Sequence, residues 1–110
     1  MTWSPRQRQE LELRARAHQA YVARVVRDEL LGPGLRHYLL TMAAAAGWTP
    51  NRRLCVGIEQ ARIGELMGLS PRTIWERQNE AEEAGWVEVV RRHRKANLVY
   101  LLERTADQEG

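Results

Sequence analysis

The sequence has a single cysteine, Cys55, among its 110 residues. One cysteine excludes an internal disulfide bond and any zinc site built from several cysteines. No other feature favours an oxidising compartment. We therefore expect a cytoplasmic protein in which Cys55 is a small buried or strand-edge residue.

Long apolar segments are absent as well. No stretch approaches the roughly 20 apolar residues of a membrane-spanning helix, and the opening MTWSPRQRQE carries charge where a signal peptide has an apolar run. We therefore expect no membrane contact and no export. With 44% hydrophobic residues, a chain of 110 residues can bury one small core, which predicts a single domain's worth of structure.

Motifs that enzymes commonly share are also missing. The sequence has no phosphate-binding glycine loop, no paired histidine and carboxylate in a plausible motif, and no cluster of metal-ligating side chains. We predict a protein without catalytic activity, cofactor or bound metal, and no small-molecule ligand is evident. Its function is then expected to be binding.

Positive charge is present in excess. Lys and Arg total 17 against 14 Asp and Glu, which gives a formal net charge of +3 and a sequence pI of about 9.6. This balance favours a polyanionic partner over an acidic small molecule. All of these cations except Lys95 are arginines. A GC-rich genome explains that bias first, although arginine also suits bidentate contacts with phosphates and base edges.

The first third of the chain predicts one long helix. Ser4 is a plausible N-cap with Pro5 at the first helical position, and no glycine interrupts the sequence before the Gly-Pro-Gly turn at residues 32–34. A helix over residues 5–31 would be roughly 40 Å long at 1.5 Å per residue. We therefore predict that residues 1–33 form a helical extension.

Apolar residues of this helix fall on two sides. At 100° per residue they form one stripe and a weaker stripe nearly opposite. Two stripes favour two neighbours, so we predict a homodimer in which the helix contacts its own domain and a second chain. The weaker stripe is also consistent with alanines that are simply good helix formers at a surface. The residues assigned to dimerisation are Leu11, Leu13, Ala17, Ala20, Val22 and Val25.

The most informative segment is IEQARIGELMGLSPRTIWERQNEAEEAGW, residues 58–86. It predicts two helices, near residues 59–67 and 71–84, joined by a very short turn with Ser70 as the N-cap of the second. Helices joined so closely cross at short range, which requires a small residue such as Gly64 at the contact, while Gly68 permits the turn. This spacing is typical of a helix-turn-helix.

Within this segment, GELMGLSPRTIWERQNEAEEAGWVEV resembles the helix-turn-helix and first wing strand of winged-helix DNA-binding proteins, especially those of plasmid and phage replication initiators and small bacterial repressors. The resemblance covers roughly residues 35–102. It depends on the Ser-x-Arg-Thr-aliphatic start of the recognition helix and the Glu-Glu-x-Gly exit into the wing. It implies a mainly α fold with a small β-sheet, a winged helix-turn-helix domain over residues 34–103, and a tail over residues 104–110.

The segment VEVVRRHRKANLVYLL, residues 87–102, predicts the wing. Two alternating runs form a hairpin whose buried face is expected to consist of Val87, Val89, Leu98, Tyr100 and Leu102. The charged tip would lie along the DNA backbone, where clustered cations displace counterions from the phosphates. The alternative is a tip that only keeps a strand edge soluble. The predicted wing contacts are Arg91, Arg92, His93, Arg94 and Lys95.

The resemblance places the second helix of the pair in the DNA major groove. There Arg72 would contact guanine, Asn79 adenine, and Glu76 a cytosine amino group. Ser70 and Thr73 are expected to contact phosphates. The predicted contacts of this recognition helix are Ser70, Arg72, Thr73, Trp75, Glu76 and Asn79.

The inner face of the recognition helix is predicted to consist of Ile74, Gln78 and Ala81. Winged-helix proteins usually bury leucines there, so this face is thin. We expect Trp75, Trp86 or the N-terminal helix to complete its packing.

These features predict sequence-specific binding to double-stranded DNA, by a bacterial, plasmid or phage transcriptional regulator or a replication or partition factor. The alternative is a winged-helix protein-interaction adaptor whose basic wing binds an acidic partner. RNA binding is a weaker prediction, because the aromatic platform that stacks unpaired bases is missing apart from Trp75.

Overall fold

A computed structural model describes residues 2–103, which form four helices and a four-stranded antiparallel sheet. The helices are α1 (Pro5–Arg27), α2 (Pro33–Ala45), α3 (Gln60–Met67) and α4 (Pro71–Glu83). The strands are β1 (Gly47–Trp48), β2 (Leu54–Val56), β3 (Val87–Val90) and β4 (Leu98–Leu101). The predicted class, mainly helical with a small sheet and a long first helix, is confirmed. The tail predicted over residues 104–110 lies outside the described residues.

Helix α1 begins where the sequence predicts and ends earlier. Ser4 and Gln7 form a capping box, in which the Gln7 N–H donates to Ser4 Oγ at 3.2 Å and the Ser4 N–H to Gln7 Oε1 at 2.8 Å. After Arg27, Asp28 is extended, and its carboxylate accepts the Leu30 N–H at 2.9 Å. An aspartate that bonds nearby backbone competes with the helix. The predicted continuation to residue 31 is therefore wrong.

Arg36 holds the corner between α1 and α2. Its guanidine donates to four backbone carbonyls at 2.6 to 3.1 Å. The acceptors belong to Val25, Val26, Asp28 and Leu31. They lie at or just beyond the C-terminal end of α1, where a helix leaves carbonyls without intrahelical partners. One cation thus fixes the end of α1 against the start of α2.

The sheet has the strand order β1-β2-β4-β3, so the hairpin of β3 and β4 is joined to the rest of the sheet through β2. Val89 pairs with Val99 in this hairpin, and Val99 and Leu101 are the buried residues of β4. On the other face, the Arg53 guanidine stacks 4.2 Å from the centroid of the Tyr100 ring. The prediction that Leu98, Tyr100 and Leu102 form the buried face is therefore wrong. The predicted residues are each one position away from the buried ones, and a shift of one residue exchanges the two faces of a strand.

Helix α1 shares the core of the rest of the chain. Tyr21 and Val25 are buried in the same apolar cluster as residues of α2, α4 and the sheet. The Tyr21 ring packs edge-on against Trp86 with centroids 6.0 Å apart, and its hydroxyl donates to the Trp86 carbonyl at 3.1 Å. Trp86 and α1 therefore help to complete the core, whereas Trp75 is 61% exposed.

The turn between α3 and α4 is as short as predicted. Gly68 ends α3 in the left-handed conformation (φ 69°), and Ser70 caps α4 by accepting the Thr73 N–H at 3.2 Å. Gly64 is buried where the two helices meet, and a Cβ atom there would lie 3.0 Å from the Leu69 carbonyl oxygen. The requirement for a small residue at Gly64 is confirmed.

We expect Gly64→Ala to lower the free energy of unfolding by a net of about 1–2 kcal/mol, because the backbone at Leu69 must move to admit the methyl group. Urea denaturation measures this change. Gly57→Ala is the matched control, since a Cβ atom there makes only an ordinary 3.7 Å contact with the Leu98 side chain. An unchanged midpoint for Gly64→Ala would contradict the close crossing of α3 and α4.

Candidate nucleic-acid interface

Helix α4 turns one face into the core and the other into solvent. Ile74, Gln78 and Ala81 are buried, which confirms the predicted inner face. On the outer face, the Arg72 side chain is 88% exposed and forms an ion pair with Glu76 at 3.4 Å, one turn away. Such exposed pairs contribute little to stability. Arg72 can therefore exchange Glu76 for an external acceptor at small cost.

The other predicted contacts of α4 flank this ion pair. The Ser70 and Thr73 hydroxyls are 3.0 Å apart in the first turn, where Ser70 also caps the helix. Trp75 is exposed and Asn79 is partly exposed. All of the side chains predicted for the recognition helix thus reach the surface.

Two of the predicted wing cations are bound by the protein itself. Arg91 donates two hydrogen bonds to the Glu82 carboxylate, at 3.0 and 3.2 Å, and these bonds hold the pKa of Glu82 below its usual value. Arg92 Nε donates to the Ala96 carbonyl at 2.8 Å across the tip of the hairpin. Arg91 therefore ties β3 to the end of α4, and Arg92 closes the loop.

The other three predicted wing residues are free. His93, Arg94 and Lys95 are exposed, and none of them forms an ion pair within residues 2–103. Arg94 has a φ of 58°, the left-handed conformation that a tight turn requires. The charge that can meet an external anion is thus concentrated at the outermost part of the hairpin.

A crevice of about 510 Å³ separates α4 from the hairpin and is called the wing crevice below. Trp75 and Gln78 line its helix side, and Arg94 and Lys95 line its hairpin side. It therefore brings the exposed ring of Trp75 to the same surface as the free cations Arg94 and Lys95, which lie about twenty positions further along the sequence.

Gln60 and Gln78 also line the wing crevice, and neither was predicted as a site residue. Gln60 Oε1 accepts the Tyr38 hydroxyl at 2.7 Å, so its amide is anchored to the core. Gln78 belongs to the buried face of α4. A glutamine on the predicted inner face of α4 was the available sequence signal for Gln78.

The residues predicted to form a dimer interface divide according to their burial. Val25 is fully buried in the chain's own core, and Val22 packs against that core. Leu11 is 45% exposed. The other three line a second crevice, between α1 and the sheet, which is called the α1 crevice below. These three are Leu13, Ala17 and Ala20.

Comparison with known protein families, curated proteins and solved structures found no match for the chain. Among the helices that the structure describes, none is long and apolar enough to cross a membrane. Within residues 2–103, no three His, Cys, Asp or Glu side chains are grouped so that they could hold a metal ion. The geometry of the surface is therefore the basis for a functional conclusion.

Proposed function

We propose that the chain is a winged helix-turn-helix protein that binds double-stranded DNA, with α4 in the major groove and the hairpin of β3 and β4 on the backbone. The observation that carries the proposal is the wing crevice, where the exposed Trp75 of α4 and the free cations Arg94 and Lys95 share one surface. The element order supports it, because the strands β1 and β2, two closely joined helices and a hairpin follow α2, and β2 pairs with β4. The process served would be transcriptional regulation, replication or partition in a bacterium, plasmid or phage.

The charges of α4 favour one orientation on DNA. Glu80, Glu82 and Glu83 lie in its C-terminal half, where phosphates would repel them. Arg91 neutralises Glu82. Arg72 lies in the first turn, so the N-terminal half of α4 is the part that docks in the groove.

Fluorescence anisotropy with a labelled duplex of random sequence tests the proposal. Binding should weaken as salt rises, with a log–log slope of about −0.9 for each phosphate contacted. Polyglutamate of matched charge serves as the competitor, because an adaptor for acidic proteins would bind it as tightly as the duplex. That result, or no duplex binding at low salt, would contradict DNA binding.

Arg72→Ala is expected to cost about 1–3 kcal/mol of binding free energy at a single base pair, because arginine reads guanine through two hydrogen bonds. Selection from a random duplex pool would first supply the preferred site, and single-base variants of that site would then be titrated. Arg72→Lys is the control, since it keeps the charge but lacks the planar fork. A uniform loss over all sequences would instead assign Arg72 to a phosphate.

A homodimer is part of this proposal, because two-fold symmetry doubles the number of base pairs read. The surface available for a dimer interface is limited, because Val25 is buried in the core of its own chain. Among the predicted dimer contacts, the large apolar residue that is exposed is Leu11. We expect the chain to sediment as a dimer and Leu11→Glu to sediment as a monomer. Leu30→Glu, at an exposed leucine just after α1, is the control with the same charge change. A monomeric parent chain, with and without DNA, would rule the dimer out.

A further inference from the structure

The α1 crevice is an apolar cavity of about 720 Å³ at the end of the molecule away from the hairpin tip. Its helix side is formed by Leu13, Ala17 and Ala20, and its sheet side by Trp48, Leu54 and Leu101. Small-molecule sites typically have volumes of about 300–1,000 Å³ and walls of this composition. The cavity is therefore large enough for a compact organic ligand.

Arg24 lines this crevice and has hydrogen-bond donors to spare. Its guanidine lies 5.3 Å from the ring centroid of Tyr21 and 5.4 Å from that of Trp86, and Nη2 donates to the Leu102 carbonyl. Its Nε and Nη1 atoms are closed to solvent and have no acceptor within residues 2–103. Burial lowers the pKa of Arg24. Unsatisfied buried donors on a charged group are costly, so an anion that accepts them would be bound favourably.

The charges that line the α1 crevice are unbalanced. Arg52 and Arg53 are paired with Glu10 and Glu88, respectively, at 3.0 and 3.6 Å. Arg16, by contrast, forms no ion pair within the described part of the chain. Among the described lining residues, the acidic one is Glu103. The cavity therefore combines apolar walls with an excess of positive charge, which complements an anion with an apolar body.

We propose that the α1 crevice binds a small amphipathic carboxylate. Its apolar body lies between Ala17 and Ala20 on one side and Trp48 and Leu101 on the other, and its carboxylate accepts hydrogen bonds from Arg24. Because Nε and Nη1 are closed to solvent, the guanidine turns toward the cavity on binding. It then gains a bidentate, charge-assisted pair with the carboxylate at the expense of its present contacts with Leu102, Tyr21 and Trp86. The α1 crevice and the wing crevice have no lining residue in common, so this site does not depend on DNA binding.

The probes are 2-naphthylacetate and 2-naphthylacetamide, which have the same apolar body and differ in charge. Isothermal titration calorimetry on the full chain should show that the acetate binds about tenfold or more tightly than the amide. Amide NMR shifts should be confined to α1 and the neighbouring strands. Arg24→Gln should remove the preference for the acetate while leaving the amide's affinity unchanged.

Ala20→Leu tests the cavity without changing Arg24, because it fills space between α1 and the sheet. It should weaken both probes about tenfold or more, whereas Ala15→Leu, at an exposed position of α1 outside the crevice, should leave both unchanged. Circular dichroism checks that each variant folds.

The proposal is overturned if the parent chain binds neither probe, binds both equally, or shows its NMR shifts at the hairpin. It is also overturned if Ala20→Leu converts a dimer into a monomer, since a second copy of the chain would then occupy the crevice.

Discussion

Replacing Arg94 and Lys95 together by alanine is expected to weaken binding to every duplex by a similar factor. The log–log salt slope should become shallower by about 1.8, or about 0.9 for each lost phosphate contact. For two proteins with equal affinity at 1 M salt, this difference in slope makes the variant bind about 60-fold more weakly than the parent chain at 0.1 M salt. The reason is that both side chains are exposed, line the wing crevice and form no ion pair within residues 2–103.

The control for this variant removes two positive charges elsewhere. Arg8 and Arg27 are exposed on α1 and do not line the wing crevice, so replacing both by alanine changes the net charge equally. Anisotropy titrations over a range of salt concentrations compare the two. Equal weakening by both variants would mean that only total charge matters, and unchanged affinity of the hairpin variant would place the wing off the DNA.

Tyr21→Ala is expected to lower the free energy of unfolding by about 3–5 kcal/mol, the range for removing a buried aromatic side chain. Tyr21 packs edge-on against Trp86 and donates to its carbonyl, which also accepts the Leu102 N–H, so the variant leaves a cavity and removes one of these two hydrogen bonds. A loss of this size is a large fraction of the total stability of a small domain. Urea denaturation followed by circular dichroism measures it.

Two variants on the same helix separate the contributions of Tyr21. Tyr21→Phe keeps the ring and should cost about 0.5–1.5 kcal/mol for the lost hydrogen bond. Leu11→Ala changes an exposed residue and should stay within about 0.5 kcal/mol. If Tyr21→Ala were as mild as Leu11→Ala, α1 would fold apart from the core, as a detachable extension over residues 1–33 would.

Predictions that depended on neighbouring residues agree best with the structure. The N-caps at Ser4 and Ser70, the end of α3 at Gly68 and the small contact residue Gly64 all follow from local backbone chemistry. The inner face of α4 likewise follows from helical periodicity. Each of these features is specified within a few positions of the chain.

Predictions that required strand register or distant partners fared worse. The buried face of β4 was placed one position off, because alternation alone does not say which residue of β3 stands opposite which residue of β4. The early end of α1 is an exception, because the bond responsible, from the Leu30 N–H to the Asp28 carboxylate, is local. Periodicity extends a helix as long as the pattern lasts and does not detect such a bond.

For the candidate interface, the sequence was sufficient to indicate a helix-turn-helix segment and a strongly basic hairpin. Tertiary contacts decided which cations are free, because Glu82 binds Arg91 while the folded hairpin leaves Arg94 and Lys95 in solvent. The α1 crevice also exists only in the folded chain, since Arg24 and its acceptor at Leu102 are 78 positions apart. Local patterns reflect the conformational preferences of adjacent residues, whereas ion pairing and burial depend on which distant segments the fold brings together.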